Sequence, residues 1–375
     1  MPTRKQIHHF FEFAGGQLKA LIENHPDQFP MYTLQGKWSF SGETWTNWCE
    51  GFLGGQLWLL HQYSGEHYWR ERAEHYSRLI EPRKSDRTVH DLGFLFWSTW
   101  KRWYDLTGEA WVNEVVVQAG STMALRYKDR GRYLRSFLAE DSLFIDIMMN
   151  VGILFYAAQQ TGSAELLDVA MNHCLTTRKT LVRGDGSTAH EGIFDLETGE
   201  FLRQSTQQGW RGDSSWARGL AWALYGFSNV YRFTQDVRFL QTAQLCADFY
   251  MRRTPDHGIP PNDWDEPNPD YLYESSAAAI AAGGFLNLAE LSQEPIQALA
   301  YRRYANRILD TLLTPQFLAD QTPGWEGLLK HGMYHQRKGL GVDESVMWGD
   351  YFLMEALYRA ELYHACQDDA QEHSA

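Results

Sequence analysis

Two aspartates lie in surroundings where their carboxyl groups could transfer protons. Asp146 stands in the apolar run 143–150, Leu-Phe-Ile-Asp-Ile-Met-Met-Asn, which leaves it no solvated face. A carboxylate with such neighbours must be paired, hydrogen-bonded or protonated. A buried cap or a salt-bridged aspartate is the structural interpretation. The functional interpretation is a carboxyl group whose raised pKa suits it to donate a proton.

Asp91 is the second candidate, and it lies in the first turn of a predicted helix. An acidic residue is ordinary at that position, because it suits the positive end of the helix. The helical pattern described below places Asp91 and Asp146 at the starts of adjacent inner helices, on the same rim. Two neighbouring carboxyl groups interact unfavourably when both are charged, so one of them tends to hold a proton.

An arginine and several tryptophans follow in the segment 207–222. Asp213 or Ser214 can cap the helix that begins there, and Arg218 and Trp222 lie four residues apart, hence on one helical face. An arginine beside tryptophans could bind a sugar carboxylate through paired hydrogen bonds and ring stacking. A bridge between this arginine and an acid on another helix is the alternative.

The remaining candidates are weaker. Trp45 and Trp48 precede the second predicted helix, and His190 lies in a predicted loop, where a single histidine is usually a surface residue. His331 and His335 are four residues apart but stand among glycine and tyrosine, so no metal site is predicted. The sequence has no HExxH, P-loop, GxGxxG or GxSxG motif.

The elements that must position these residues are helices, because apolar residues recur at helical spacing almost throughout. Twelve helical segments are predicted, at about 3–25, 46–64, 66–82, 90–107, 109–128, 141–161, 163–181, 214–234, 236–253, 274–292, 295–313 and 346–366. Five short joints between them are alike, near 63–66, 106–109, 160–163, 233–236 and 291–294. Each ends one helix with a small hydroxyl residue and Gly or Gln, and opens the next with an acid or Ser.

Short joints that alternate with long loops indicate pairs of antiparallel helices. Six such hairpins that close on themselves form an (α/α)6 barrel, in which alternate helices make an inner ring; an open helical solenoid is the competing architecture. The apolar character of the even-numbered helices favours closure. The long loops then fall on one rim with the N-termini of the inner helices, and function is expected there. We find no linker, so residues 1–375 are predicted to form one domain.

The composition limits the partners. The 375 residues contain 34 Lys plus Arg against 47 Asp plus Glu, and the net charge of −13 argues against nucleic acid and membrane partners. Neither a signal peptide nor a membrane span is predicted, and the four cysteines lack CxxC spacing, so a cytoplasmic protein is expected. Aromatic residues make up 14 %, which fits either sugar stacking or a tryptophan-rich core.

Five segments, in this order, resemble the unsaturated glucuronyl hydrolases of glycoside hydrolase family 88. They are His90–Phe94, Ile145–Asn150, Ser214–Gly219, Ser275–Ala277 and Trp348–Tyr351. The likeness spans about residues 10–365, and five collinear segments are far more specific than any one of them. The family has a six-hairpin α/α barrel, which agrees with the independent helix count.

The resemblance implies release of a Δ4,5-unsaturated uronic acid from the non-reducing end of oligosaccharides left by polysaccharide lyases. It implies that Asp146 protonates C4 of the vinyl ether and then activates the water that attacks C5. Asp91 matches an acidic residue that orients the substrate and Asp146. The residues that match the uronate subsite are Trp48, His190, Gln208, Trp216, Arg218 and Trp222. No metal or organic cofactor is implied, and a monomer or homodimer is expected.

Four substrate-site positions depart from parts of that family. Gln207 stands where one branch has His, and Phe137 stands where Trp is common. Branches that accept sulfated substrates carry a Ser-x-x-Ser-x-Lys pattern, to which Met333, Gln336 and Lys338 align here, so only the Lys survives. These changes concern the neighbouring sugar more than the carboxyl groups. They favour an unsulfated substrate.

Other functions stay open at this point. The unsaturated rhamnogalacturonyl hydrolases share the barrel and the chemistry, although residues 146–150 favour the glucuronyl hydrolases. A sugar epimerase would use paired histidines, for which only His90 and His190 are available. An inverting glycosidase would need two carboxyl groups roughly 6.5–9.5 Å apart. A sugar-binding protein without activity would have no reason to bury Asp146.

Overall fold

The computed structural model of the protein describes residues 1–41, 45–267 and 272–372. Its α-helices are α1 (Arg4–Asn24), α2 (Glu50–Ser64), α3 (His67–Leu79), α4 (Leu92–Phe96), α5 (Arg102–Thr107), α6 (Ala110–Ala124), α7 (Ile147–Asn150), α8 (Gly152–Thr161), α9 (Ala164–Leu181), α10 (Ala217–Thr234), α11 (Val237–Arg253), α12 (Ser275–Leu291), α13 (Pro295–Leu312) and α14 (Met347–Glu372). A π-helical turn, Trp97–Lys101, joins α4 to α5, and only Val151 separates α7 from α8. We count α4 with α5 as one helical rod, and α7 with α8 as another. The described helices then form twelve rods, as predicted.

Six rods form an inner ring: α2, α4 with α5, α7 with α8, α10, α12 and α14. Each contacts the next, and α14 contacts α2, so the ring is closed. The outer rods α1, α3, α6, α9, α11 and α13 pack against it. In α12 every residue from Ser275 to Ala289 is buried, as expected of an apolar helix surrounded by others. The predicted (α/α)6 barrel is confirmed, and the open solenoid is wrong.

The short joints end helices as the sequence pattern predicts. Gly65, Gly108 and Gly162 adopt left-handed backbone conformations, with φ of 73°, 67° and 70°, directly after α2, α5 and α8. A glycine tolerates this conformation because it has no Cβ. The fourth joint uses Gln235 in the same way, whereas the fifth ends at Ser292 in an extended conformation.

The sixth helix pair is made from α1 and α14, which are far apart in sequence. Helix α1 lies against α14, where Nε2 of His364 is 2.9 Å from the carbonyl oxygen of Pro2. Nε of Arg4 lies 3.5 Å from the Glu361 carboxylate. The first and last helices therefore close the barrel together. We call this contact between α1 and α14 the seam.

Nine short strands lie in the loops of the described chain. They are β1 (Thr33–Leu34), β2 (Lys37–Trp38), β3 (Tyr127–Lys128), β4 (Tyr133–Leu134), β5 (Ser142–Phe144), β6 (Glu191–Phe194), β7 (Phe201–Ser205), β8 (Gly332–His335) and β9 (Leu340–Glu344). They pair antiparallel as β1–β2, β3–β4, β5–β6–β7 and β8–β9.

One of these strands corrects a helix boundary. The predicted helix 141–161 begins only at Ile147, because residues 142–144 pair with β6, where Leu143 faces Gly192. The periodicity of a short apolar run does not distinguish a strand from a buried helix. Here the pairing with β6 determines that residues 142–144 form a strand. The backbone N–H of Ile145 continues the pairing by donating to the carbonyl of His190 at 2.9 Å. Asp146 thus stands directly at the junction of strand and helix.

No helix in the described residues is long and apolar enough to cross a membrane. The four cysteines form no disulfide bond, and Cys49, Cys174 and Cys246 are buried.

Candidate active site

Each inner rod begins at the same rim, because the inner helices alternate with antiparallel outer ones. The residue before α4 is Asp91, the residue before α7 is Asp146, and the residue before α10 is Trp216. Neither aspartate caps its helix through its side chain, whereas Glu274 caps α12 by accepting hydrogen bonds from two backbone N–H groups. The two aspartate carboxyl groups are therefore available for another role.

Both aspartates line a cavity of about 140 Å³ at this rim. The described lining consists of Trp45, Thr46, Trp48, His90, Asp91, Phe137, Leu138, Phe144, Asp146, Gln207, Gln208, Tyr334, His335 and Lys338. Aromatic rings with a few polar groups are typical of a sugar-sized binding site. The structure thus brings together the two predicted catalytic residues and five of the predicted binding residues.

A larger cavity, of about 190 Å³, lies farther along the inner helices, beyond a layer of rings that includes Trp222 and Phe352. Its acidic residue, Glu355, accepts hydrogen bonds from Tyr225 at 2.7 Å and from Arg102 at 2.5 Å. A carboxylate held in this way is a structural partner of the arginine. The cavity at the rim is therefore the candidate site, although it is smaller.

Burial changes the acidity of both carboxyl groups. It raises the pKa of Asp91 to about 8, and the negative charge of Asp146 adds to the effect. Burial raises the pKa of Asp146 to about 6, while the positive charge of Arg218 opposes the rise. At neutral pH the pair therefore holds one proton, mainly on Asp91. Asp146 is protonated below about pH 6, a lower range than its apolar flanks alone predict, because Arg218 favours its carboxylate.

The two aspartates are held at a fixed spacing by the residues that follow them. The Asn150 side-chain oxygen accepts a hydrogen bond from the backbone N–H of Phe94 at 2.7 Å, which ties α7 to α4. A Cβ on Gly93 would lie 2.4 Å from the Cα of Asn150, so only glycine allows the two helices to approach this closely. This contact explains why the segments around Asp91 and Asp146 carry Gly and Asn at these positions.

His190 lies behind the cavity wall rather than on the cavity surface. Its Nδ1 accepts from the backbone N–H groups of Gln207 at 3.2 Å and Gln208 at 3.3 Å, and its Nε2 is 3.6 Å from Oδ2 of Asp146. Its ring packs against Phe144 and Trp216, with centroid distances of 4.6 and 4.5 Å. Burial and the charge of Arg218 lower the pKa of His190 to about 3. A neutral imidazole thus holds the loop that carries both glutamines.

The structure places Arg218 behind the wall of the cavity. Only 1 % of this residue is exposed, and its guanidinium lies 4.4 Å from the ring of Trp216 and 5.0 Å from that of Trp348. It donates to the side-chain oxygen of Gln208 and lies 3.7 Å from the Glu274 carboxylate. Arg218 thus forms an ion pair with an acid at the start of another helix, which is the alternative interpretation given in the sequence analysis. Arg218 does not reach the described cavity surface but fixes Gln208, which does.

The tryptophans of the same helix are also behind the wall. Trp216 is 1 % exposed, and Trp222 is fully buried against Phe94 and Phe352, with centroid distances of 5.0 and 5.4 Å. In the described structure, neither ring presents a face to the cavity. Their role is to support the wall, whereas Trp45 and Trp48 line the cavity itself.

Several residues of the site are not predicted from the sequence. Tyr334 and His335 come from β8, and Phe144 comes from the end of β5. Glu274 is fully buried, and an acid directly before the Ser-Ser-Ala start of α12 was the signal that could have revealed it. Among the described residues, no group of three or more His, Cys, Asp or Glu could hold a metal ion.

The family model of Glycosyl Hydrolase Family 88 matches residues 21–256, more than half of the sequence. The chain belongs to glycoside hydrolase family 88. It is therefore a glycoside hydrolase, and the resemblance seen in its five segments is confirmed.

Relatives of this family 88 enzyme extend the match to nearly the whole chain. An unsaturated glucuronyl hydrolase from Bacillus sp. strain GL1 is 31 % identical over 350 residues, which cover 91 % of this chain and 93 % of the relative. An unsaturated chondroitin disaccharide hydrolase from Streptococcus pneumoniae is 32 % identical, with 95 % and 92 % covered. The solved structure of the Bacillus sp. GL1 unsaturated glucuronyl hydrolase superimposes with a TM-score of 0.89 and 29 % identity, covering 95 % of this chain and 97 % of that one.

The positions at which this family 88 chain departs from the sulfate-accepting pattern have distinct environments. Met333 is fully buried in β8, and the Gln336 amide is bound by Asn262 at 2.8 Å and Glu266 at 3.3 Å. Lys338 is exposed, and its Nζ lies 4.4 Å from the centre of the Trp45 ring at the cavity edge. Neither Met333 nor Gln336 supplies a positive charge to a neighbouring sugar.

Proposed function

We propose that this family 88 enzyme releases a Δ4,5-unsaturated uronic acid from the non-reducing end of an oligosaccharide by hydrating its double bond. The observation that carries the proposal is the buried pair Asp91 and Asp146, which line one cavity and retain a proton there. Hydration of a vinyl ether needs such a proton, delivered to carbon. The names of the similar proteins from Bacillus and Streptococcus support the same substrate class.

In this mechanism the protonated Asp146 carboxyl group donates its proton to C4, and the double-bond electrons form the new C–H bond. The cation that develops at C5 is stabilised by the ring oxygen. The Asp146 carboxylate then takes a proton from a water molecule, whose oxygen bonds to C5 and completes a hemiketal. The hemiketal opens and releases the neighbouring sugar. Asp91 orients the substrate and keeps a second carboxyl group close to Asp146 without adding a second charge.

Other lining residues suit a sugar at this rim. Trp45, Trp48 and Phe137 offer ring faces, the Gln208 amide offers a hydrogen bond, and Lys338 offers a positive charge to an anionic substrate. We place the active site on the rim of one barrel domain that comprises the whole chain. The alternation of short joints and rim loops supports that assignment.

The epimerase alternative fits the site poorly. Both His90 and His190 are buried, and burial lowers the pKa of each well below its ordinary value. The Nδ1 atom of each accepts hydrogen bonds from backbone N–H groups. Histidines committed in this way are poor partners for exchanging protons with a sugar, whereas the two aspartates retain that ability.

The proposal is tested with lyase-generated unsaturated disaccharides. The enzyme is expected to remove the ultraviolet absorbance of the C=C bond and to release the neighbouring sugar in equal amount. Saturated disaccharides of the same composition serve as the control and should not be cleaved. Release from the saturated control at a similar rate would overturn the hydration route.

The pH dependence of the reaction follows from the acidity of Asp146. We expect kcat/KM to be highest below about pH 6 and to fall as the pH rises, because Asp146 must be protonated to donate to C4. Asp91, whose pKa is raised to about 8, stays protonated while kcat/KM falls with the ionisation of Asp146. Initial rates at constant ionic strength across acidic and alkaline buffers check this. A kcat/KM that increases above pH 6 would contradict the assignment of Asp146 as the acid.

Substrate preference is expected to follow the neutral residues near the neighbouring sugar. Gln207 and Gln336 carry no charge and Met333 is buried, so unsulfated disaccharides should give a higher kcat/KM than 6-sulfated ones. Competition between the two substrates in one reaction measures the ratio directly. If the sulfated substrate is preferred and the preference disappears in Lys338→Met, then Lys338 alone supplies the needed charge.

We also propose a cytoplasmic enzyme that is a monomer or homodimer. The unpaired cysteines support a reducing compartment. Light scattering coupled to gel filtration measures the oligomeric state, and a larger assembly would contradict the proposal.

A further inference from the structure

The imidazole of His90 joins Asp91 to the loop that carries Phe137. Its Nδ1 lies 3.0 Å from the backbone nitrogen of Phe137, which can only donate. Nδ1 is therefore the acceptor, and in a neutral ring the proton must sit on Nε2. Nε2 lies 3.3 Å from Oδ1 of Asp91. The geometry fixes one tautomer, and that tautomer places an N–H group 3.3 Å from the carboxyl group of Asp91.

The ring has little freedom to leave this arrangement. His90 is 2 % exposed and Asp91 is 4 % exposed. The His90 ring stacks on Phe137 with a centroid distance of 5.6 Å and meets Phe144 edge-on at 5.7 Å. Two aromatic contacts and one hydrogen bond therefore hold the imidazole between the loop and the start of α4.

We propose that His90 is a positioning residue that determines which oxygen of Asp91 carries its proton. Because the Nε2–H group of His90 lies 3.3 Å from Oδ1, the proton of a neutral Asp91 carboxyl group belongs on Oδ2. Asp91 then presents one fixed O–H donor, oriented through the backbone of the Phe137 loop. The inference rests on the proposed function, since it concerns how Asp91 assists Asp146.

The charged groups around this unit leave the imidazole neutral. Burial lowers the pKa of His90 well below its ordinary value, and Arg126, His190 and His173 act in the same direction. The groups that act on the pKa of Asp91 are Asp146 and Asp86, which raise it, and Arg83 and Arg126, which lower it. His90 thus remains a neutral ring throughout the working range of the enzyme. It does not itself exchange a proton with the substrate.

The chain offers a matched control in His173. This histidine is also fully buried, and its Nδ1 accepts from the backbone N–H of Leu134 at 3.1 Å. Its Nε2 has the hydroxyl of Thr177 as neighbour, at 3.5 Å, and forms no ion pair with a carboxyl group of the described residues. Replacing His173 removes a buried imidazole of the same kind without touching Asp91.

The test compares His90→Phe, His90→Gln and His173→Phe in the full-length enzyme. For His90→Phe we expect kcat to fall roughly 10- to 100-fold, the effect of a hydrogen bond to a charged or polarised group, with little change in KM. His90→Gln retains an amide donor and acceptor and should recover part of that loss. His173→Phe should lower the thermal unfolding temperature but leave kcat close to wild type.

The pH profile of kcat/KM distinguishes a positioning role of His90 from a general loss of structure in the variant. In the wild type, kcat/KM should decline above about pH 6 and decline more steeply near pH 8, where Asp91 loses its proton. Removal of the Nε2–H donor destabilises the Asp91 carboxylate, so His90→Phe should move the second bend to higher pH and leave the first in place. The same bend should stay unchanged in His173→Phe.

Two results would overturn the inference. One is wild-type kcat and an unchanged second bend in a folded His90→Phe or His90→Gln variant. The other is an equal loss of kcat in His173→Phe, which would indicate a structural role for both histidines. Failure of the proposed function itself would look different, because the wild-type enzyme would then leave the absorbance of the unsaturated disaccharide intact.

Discussion

Asp146→Asn is expected to lower kcat by at least roughly 10²- to 10⁴-fold, the usual contribution of general acid–base catalysis. The amide has nearly the size of the carboxyl group but cannot deliver a proton to C4 or accept one from water. Oδ2 of Asp146 has no hydrogen-bond partner in the described structure, so the amide breaks no such bond at that atom. Steady-state kinetics and calorimetric binding of the unsaturated disaccharide measure the two effects.

A neighbouring aspartate provides the control for this variant. Asp141 lies five residues earlier, outside the described cavity lining, so Asp141→Asn should retain wild-type kcat. If Asp146→Asn instead weakens binding strongly and leaves kcat unchanged, Asp146 is a binding residue and not the acid.

Isotopes report the route independently of the variant. In D₂O the product of the wild-type enzyme should carry deuterium at C4. In ¹⁸O-labelled water the new oxygen should appear at C5 of the former uronate. Label at the anomeric carbon would mean direct displacement, and the assigned role of Asp146 would be wrong.

Arg218→Ala is expected to lower the free energy of unfolding by about 3–5 kcal/mol, the range for removing one partner of a buried ion pair. The variant leaves the fully buried Glu274 without its counter-charge and leaves a gap between the rings of Trp216 and Trp348. Urea denaturation monitored by tryptophan fluorescence measures the change. Substrate binding should weaken too, because Gln208 loses the group that orients its amide.

A double-mutant cycle with Glu274→Gln separates the ion pair from the packing. If the pair matters as proposed, Arg218→Ala should cost markedly less stability in the Glu274→Gln background than in the wild type. Full additivity would show that the two residues act independently. A variant of Arg218 with unchanged stability and lost binding would restore the earlier expectation of direct contact with the sugar.

Asp146 and the barrel could be predicted because both depend on local sequence. Helical spacing and the Gly or Gln at the joints specify which segments are helices and which neighbours are antiparallel. Asp146 was recognisable because a carboxyl group inside an apolar run must be paired, hydrogen-bonded or protonated. Asp91 became informative only through the architecture, which places it beside Asp146.

The wall of the site could not be predicted in the same way. Whether Arg218 faces the cavity or lies behind it depends on Glu274 and on the strand 332–335, which are distant in sequence. The strand β5 forms because β6 pairs with it, and nothing in the residues 142–144 separates a strand from a helix. Tyr334 and His335 reach the cavity from a hairpin whose position is set by tertiary contacts.

The seam between α1 and α14 has a consequence for how the protein is made. A chain is synthesised from its N-terminus, so Asp91 and Asp146 leave the ribosome long before α14. The last inner position, between α12 and α2, stays open until that helix arrives. Since burial raises the pKa of both aspartates, their protonation depends on the folded barrel around them. We therefore expect proton transfer to a sugar only after α14 has packed against α2 and α12.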